Sequence, residues 1–309
     1  MKRAYVLLDF EGLACGFGRY EGAYAITHES AILELQAVLP VIYEAGYDEI
    51  VLNTPHVLGM KYLDLPRDMN IRVIHGEFNK CILTEGLDSS FDFAIMLGQH
   101  AMAGGKERGM NRHTILPHPF SRHYSALSGI SFNDLAVGEI GIYCAISGMH
   151  NVPVIYLSGD DCACDEIKEL IPNVETVAVK DSINYFTANS MTPHDAAKAS
   201  ALGIKRAIAQ LKEIQPFKMQ SPVTVSVSYL FPQRATAGLS LVPGSYLKDA
   251  NTLTKDFASI AAFEEEFGTI RGEEALDWQK DIGIKHVRGF FSRLGYEPYE
   301  PGKENIEKI

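Results

Sequence analysis

Short apolar runs separated by longer amphipathic stretches fill the first two-thirds of the chain. This alternation is what βαβ units produce when a mostly parallel sheet is covered by helices. The runs predict strands over 4–9, 49–53, 71–74, 93–97, 152–157 and 175–179. Between the first two, Ile32, Leu35, Val38, Leu39 and Ile42 recur at helical spacing. They predict a helix over 29–45 that stops at Gly46 and is kinked by Pro40. Further helices are expected over 137–148 and over 162–170, the latter with Asp161 as N-cap. After Lys180 the pattern changes. Thr192-Pro193 reads as the cap and first residue of a helix to about Leu211, and 223–229 alternates with period two, as a half-buried strand does. The expected fold class is therefore α/β: a mostly parallel sheet flanked by helices in residues 1–185, and a second, smaller α/β lobe in 186–309. A C-terminal extension rich in charge carries the single tryptophan, Trp278.

Composition narrows the function classes. The chain has 309 residues, 46% of them hydrophobic and 22% charged, which is globular rather than disordered. Its uninterrupted apolar runs fall far short of the ~20 residues of a membrane helix. The opening run over 4–8 is cut by Asp9 and Glu11 before a secretory h-region can form. A cytoplasmic setting with no membrane partner is expected. A net charge of −11 argues against nucleic acid, which needs a basic surface to replace counterions. Five cysteines, odd in number and scattered, are expected to be reduced structural thiols.

The chemistry gathers at strand ends. Asp9 and Glu11 stand two apart where the first strand ends, so both carboxylates project to one face. His56 follows the second strand and His100 the fourth, while Glu139 opens an otherwise apolar helix. In a parallel sheet the carboxyl ends of the strands share one edge, where ligands bind. Three clustered carboxylates without cations would raise one another's pKa, whereas two divalent metals bring +4 against their −3. If Asp9 bridges, one metal takes Asp9, Glu11 and His56 and the other Asp9, His100 and Glu139. Each then has three protein ligands and an open position, the pattern of catalytic zinc. Asp160 and Asp161 end a buried strand and either receive a substrate ammonium in the crevice or cap the next helix. Gly16-Phe17-Gly18 with Gly22 lacks dinucleotide-binding spacing and reads as a turn. Cys15 lies near the metal motif, but a catalytic thiol would need a histidine base better assigned to metal.

The stretches LLDFEGLACG (7–16), LNTPH (52–56), MLGQHAMAG (96–104), RHT (112–114), FNDLAVGEIGIYCAISGMHNVPVIYLSGDD (132–161) and PNVETVAVK (172–180) resemble the D-aminopeptidases, dinuclear-zinc metallopeptidases. PVTVSVSY (222–229) and LVPG (241–244) fit more loosely. The resemblance implies two Zn2+ per chain on Asp9, Glu11, His56, His100 and Glu139, with Asp9 bridging, and His113 as the catalytic histidine. It further implies removal of residues from the amino end of short peptides with a preference for D-residues, and a homo-oligomer, a ring-shaped decamer in the founding member. The chain departs from the family in places. The segments 103–112 and 116–130 are expanded, and the second brings His118 and His123 as rival candidates to His113. Asn184-Tyr185 stand where the family tends to carry an arginine. The same metal pair would also serve an amidase or a phosphoesterase, and a peptide-binding protein that has lost activity is a reading from another class.

Overall fold

The computed structural model describes residues 1–16, 21–54, 56, 63–74, 84–114 and 127–267. Its strands are β1 (Arg3–Leu8), β2 (Glu49–Asn53), β3 (Ile71–Ile74), β4 (Phe93–Gln99), β5 (Leu127–Phe132), β6 (Leu135–Ala136), β7 (Val154–Asp160), β8 (Glu175–Asn184), β9 (Thr187–Ser190), β10 (Val223–Tyr229), β11 (Tyr246–Asp249) and β12 (Thr252–Phe257). Its helices are α1 (Glu21–Glu44), α2 (Glu139–Met149), α3 (Asp161–Leu170), α4 (Pro193–Ala209), α5 (Pro232–Leu241) and α6 (Ile260–Phe267).

The main sheet has the order β3-β2-β1-β4-β7-β8-β9. Every pairing is parallel except the β8–β9 hairpin. β2, β4 and β7 are buried along their whole length, which explains why they read as continuous apolar runs rather than as alternating ones. Helix α1 packs against α4, and α3 against α2, β7 and β8. The second sheet, β11-β12-β10-β5-β6, is antiparallel. Its central strand β10 alternates as expected and pairs Ser226 with Thr254 and Ser228 with Thr252 through their hydroxyls.

Several boundaries differ from the sequence expectation. β4 runs on to Gln99 and β8 to Asn184, while β7 starts at Val154 and reaches Asp160. Helix α1 begins at Glu21 and passes through Pro40 to Glu44. Helix α2 starts at Glu139 rather than 137, because the N–H of Val137 is taken by Ile130 O of β5 and Gly138 becomes the N-cap. The cap of α3 is Asp160 rather than Asp161: its carboxylate accepts from Ala163 N. The two sheets also cross the expected lobe boundary in both directions. β5 and β6 precede residue 185 yet belong to the second sheet, and β9 and α4 follow it yet join the first. The stretch Ala25–Glu44 is long and apolar enough to cross a membrane by length and composition, but half of it is buried in this fold. Ile32, Leu35, Val38, Leu39 and Ile42 are core residues, so it packs as a core helix. Cys15, Cys144, Cys162 and Cys164 are free thiols. Cys81, His118, His123 and Trp278 lie outside the described residues.

β1 and β4 lie side by side, but β1 connects onward to β2 on one side while β4 leads on to β7 on the other. This is the switch point at which parallel sheets open a crevice at their carboxyl ends. Two chain segments close on each other there. Gly12 N donates to Gly98 O at 2.7 Å, and a Cβ on Gly12 would fall 1.8 Å from Gln99 O. Only glycine lets the segment after β1 lie this close to the end of β4.

Candidate metal centre

Asp9 leaves β1 beside the end of β4, with its N–H on Leu97 O. Its Oδ1 accepts from Phe10 N at 2.8 Å. Glu11 follows on the same turn. His56 stands just beyond β2, where Thr54 Oγ1 accepts from His56 N at 3.1 Å and donates to His56 O at 3.0 Å. The Phe10 ring stacks on the His56 imidazole with centroids 4.4 Å apart. These local contacts aim His56 Nε2 at Asp9 Oδ1 (3.0 Å) and Glu11 Oε2 (3.1 Å).

A second set meets the other oxygen of the same aspartate. His100 Nε2 lies 3.5 Å from Asp9 Oδ2 and 3.5 Å from Glu139 Oε1. The other ring nitrogen, Nδ1, donates to Ala101 O at 3.0 Å. Glu139 opens α2, and Tyr143, one turn on, donates its hydroxyl to Glu139 Oε2 at 3.1 Å. His113 stacks on His100 with centroids 4.0 Å apart and planes 4° from parallel. Its Nδ1 donates to Asn111 O at 2.7 Å, which leaves Nε2 with a free lone pair.

Electrostatics reveals what the cluster lacks. Burial, reinforced by Glu11, pushes Asp9 up to about 7. Burial would raise Glu11 too, but the neighbouring His56 outweighs it and holds Glu11 well below the usual carboxylate range. His56 and His100 are held well above the ordinary histidine value: burial opposes their charge, and the carboxylates, led by Glu11 and Glu139 respectively, override it. His113 goes the other way, to about 4, through burial and the adjacent His100. One N–H cannot serve two carboxylate oxygens well, and Asp9 Oδ2 and Glu11 Oε2 remain buried without a hydrogen bond. A metal between each imidazole and its two carboxylates would satisfy all of these atoms, and the mixed imidazole and carboxylate donors suit zinc. One donor atom each from Asp9, Glu11 and His56 lies within 4.8 Å of the others, and the same holds for His100, His113 and Glu139.

Buried charges support the backbone around this cluster. Lys180 donates to Glu11 O at 2.5 Å and Gly16 O at 3.0 Å, and burial pulls its pKa down to about 8. Asp160 takes Ala163 N on Oδ1 at 2.9 Å and Ala101 N on Oδ2 at 3.0 Å. Glu166 takes Met102 N and Gly138 N, each at 3.2 Å, and burial pushes it up to about 8. Asp161 binds Ser182 N at 2.8 Å and pairs with Arg108. Asp160 and Asp161 therefore spend their oxygens within the protein, and they fall outside both donor sets around Asp9. They form a third group with Cys162, whose carboxylates already have partners. Sequence reasoning missed Tyr143, Lys180 and Glu166. Helical i,i+4 spacing from Glu139 was a usable signal for Tyr143; Glu166 offered none.

A family model for D-aminopeptidases matches residues 2–266. Among curated proteins, the D-aminopeptidase of Bacillus subtilis (strain 168) is 27% identical over 261 residues, covering 81% of this chain and 89% of that protein. Among solved structures, the Zn-dependent D-aminopeptidase DppA from Bacillus subtilis, described as a self-compartmentalizing protease, superposes with a TM-score of 0.73 at 24% identity. The match covers 84% of this chain and 93% of that one, and it supports the two-sheet fold. With the family model spanning both sheets, this chain belongs to the D-aminopeptidase family.

Proposed function

We propose that the chain is a dinuclear zinc aminopeptidase acting on short peptides, including those that begin with a D-residue. The observation that carries the reading is Asp9, whose two oxygens face two different imidazoles, Oδ1 towards His56 and Oδ2 towards His100. Asp9, Glu11 and His56 would hold one zinc, and Asp9, His100 and Glu139 the other. Bound there, a zinc pair supplies Lewis acidity for the scissile carbonyl and a lowered pKa for water.

The chain's own groups do the rest. His113 is fixed as the Nδ1–H tautomer by Asn111 O and kept neutral by burial. Its Nε2 therefore takes a proton during attack and returns it to the leaving amine. The carboxylate-rich rim favours a substrate ammonium, so the free amino end of a peptide is drawn to the cluster while an acylated end is not. Asp160 and Asp161 contribute by fixing backbone, and the substrate amine is assigned to the side of the cluster where His56 is partly exposed. The zinc dependence and self-compartmentalization of the Bacillus subtilis DppA support a zinc cofactor and a homo-oligomer; the decamer and the cytoplasmic setting are our own reading.

Elemental analysis of the purified protein, paired with hydrolysis of D-Ala-D-Ala and L-Ala-L-Ala with and without an N-acetyl group, tests this. Two zincs per chain and hydrolysis of the free peptides alone are expected. Equal rates on acetylated peptides would sink the aminopeptidase reading, and exclusive use of the L,L peptide would sink the D-specificity. Native mass spectrometry reads the subunit count.

A further inference from the structure

Glu166, on α3, reaches no ligand side chain, yet its carboxylate joins the two backbone segments that carry the His100 and Glu139 ligands. Oε2 accepts from Met102 N, two residues beyond His100, and Oε1 accepts from Gly138 N, directly before Glu139. These segments come from distant parts of the sequence, the end of β4 and the turn after β6. Their close approach depends on Gly138. A Cβ there would fall 2.4 Å from Met102 Cβ and 2.7 Å from Glu166 Oε1, so any larger residue would push the two backbones off the shared carboxylate. Gly138 is also the N-cap of α2 and has no side chain with which to cap it. The Glu166 carboxyl group instead accepts the N–H of that cap residue. Neither Glu11 nor His56 makes any such contact with Glu166.

We propose that Glu166 is a positioning residue for the His100–Glu139 side of the centre, setting the separation of those two ligands and hence the affinity of that site alone. The inference rests on the zinc-pair reading above. A residue of this kind acts through the hydrogen bonds that orient ligands, and loss of such outer contacts typically weakens metal binding about 10–100-fold.

Glu166→Gln keeps the size and one acceptor but turns an NH2 towards the second backbone N–H. Wild type and variant are loaded with zinc, counted by elemental analysis and titrated with a competing chelator, with near-UV circular dichroism as the check on fold. The wild type should hold two zincs. In E166Q one zinc should weaken about 10–100-fold while the other keeps its wild-type affinity, and Glu166→Asp, which keeps the carboxyl group with a shorter reach, should fall between. E166D carries the same expectation if E166Q fails to fold. Two sites of wild-type affinity in the variant, or equal weakening of both, overturns the inference. Fewer than two zincs in the wild type overturns the dinuclear reading beneath it instead.

Discussion

The two proposed ligand sets that share Asp9 are built from different contacts. Glu11 is two residues from Asp9 and gives its carbonyl to Lys180, while His56 is clasped by Thr54 and stacked on Phe10 from the end of β1. The His56 side chain keeps 27% of its surface exposed. Glu139 is held by Tyr143 one helical turn on, His100 by the stacked His113, and the backbone beside both by Glu166 of α3, and the His100 side chain is only 2% exposed. Both sets join remote segments; they differ in their imidazoles, one set being open at His56 and the other closed at His100. The closed set is suited to retaining a metal, and the open one to exchanging it and to meeting substrate.

The largest effect should come from the group the two sets share. Asp9→Ala should lose both zincs and bring peptidase activity to background; one zinc retained at full affinity would end the idea of a bridge. His113→Ala should lower kcat about 10²–10⁴-fold while elemental analysis still finds two zincs. Loss of one zinc in that variant would instead make His113 a ligand of the closed set, since its donor atom also lies within 4.8 Å of those of His100 and Glu139.

The next tests separate the sets from each other. With a chromophoric chelator, the wild type should release one zinc quickly and one slowly, and His56→Ala should remove the fast phase. Removal of the fast phase by His100→Ala would invert the comparison. Tyr143→Phe deletes one hydrogen bond to Glu139 and should weaken only the slow site, by about tenfold at the lower end of such effects. Chelator titration reads this directly.

The smallest effect is electrostatic and belongs to the metal-free protein. Asp9 holds its proton up to about pH 7 when folded against an ordinary value of 3.8. Folding therefore gains from that proton fully below 3.8, and the gain is lost as pH rises through about 7. Asp9→Asn has no such proton to lose. Between about pH 4 and 7 the metal-free variant should gain in Tm on the metal-free wild type. A constant difference across that range would remove Asp9 as the source of the slope.

What the sequence revealed follows the same division. Asp9, Glu11, His56 and His100 stand at the ends of strands whose apolar runs are plain, and strand ends of a parallel sheet share an edge whatever the rest of the chain does. The support of the closed set was hidden. Glu166 sits on an ordinary amphipathic helix, and its role arises only when α3 packs beside α2. Asp160 and Asp161 differ by one position, and composition cannot say which carboxylate meets the first free N–H of α3. The second sheet was legible only at β10, where Val223 to Tyr229 alternates cleanly. β5 contains Ser128, Gly129 and Ser131, and β6 is only two residues long, so neither carries a pattern of its own. With those strands unseen, a boundary near residue 185 seemed natural, and the interleaving of the two sheets did not.

That interleaving has a consequence for how the protein is made. Glu139 is placed by the turn after β6, and Val137 is tied to Ile130 of β5. β5 is an antiparallel partner of β10, which in turn pairs with β12. A nascent chain that has just emerged past Glu139 already displays all six side chains of the centre, but the strands that hold β5 have yet to be translated. Domains tend to fold as units during synthesis, and here the unit closes only after Phe257 has left the ribosome. The closed half of the centre is therefore finished only once β12 has been made, and a fragment that stops at residue 185 carries every proposed ligand without the scaffold to assemble them.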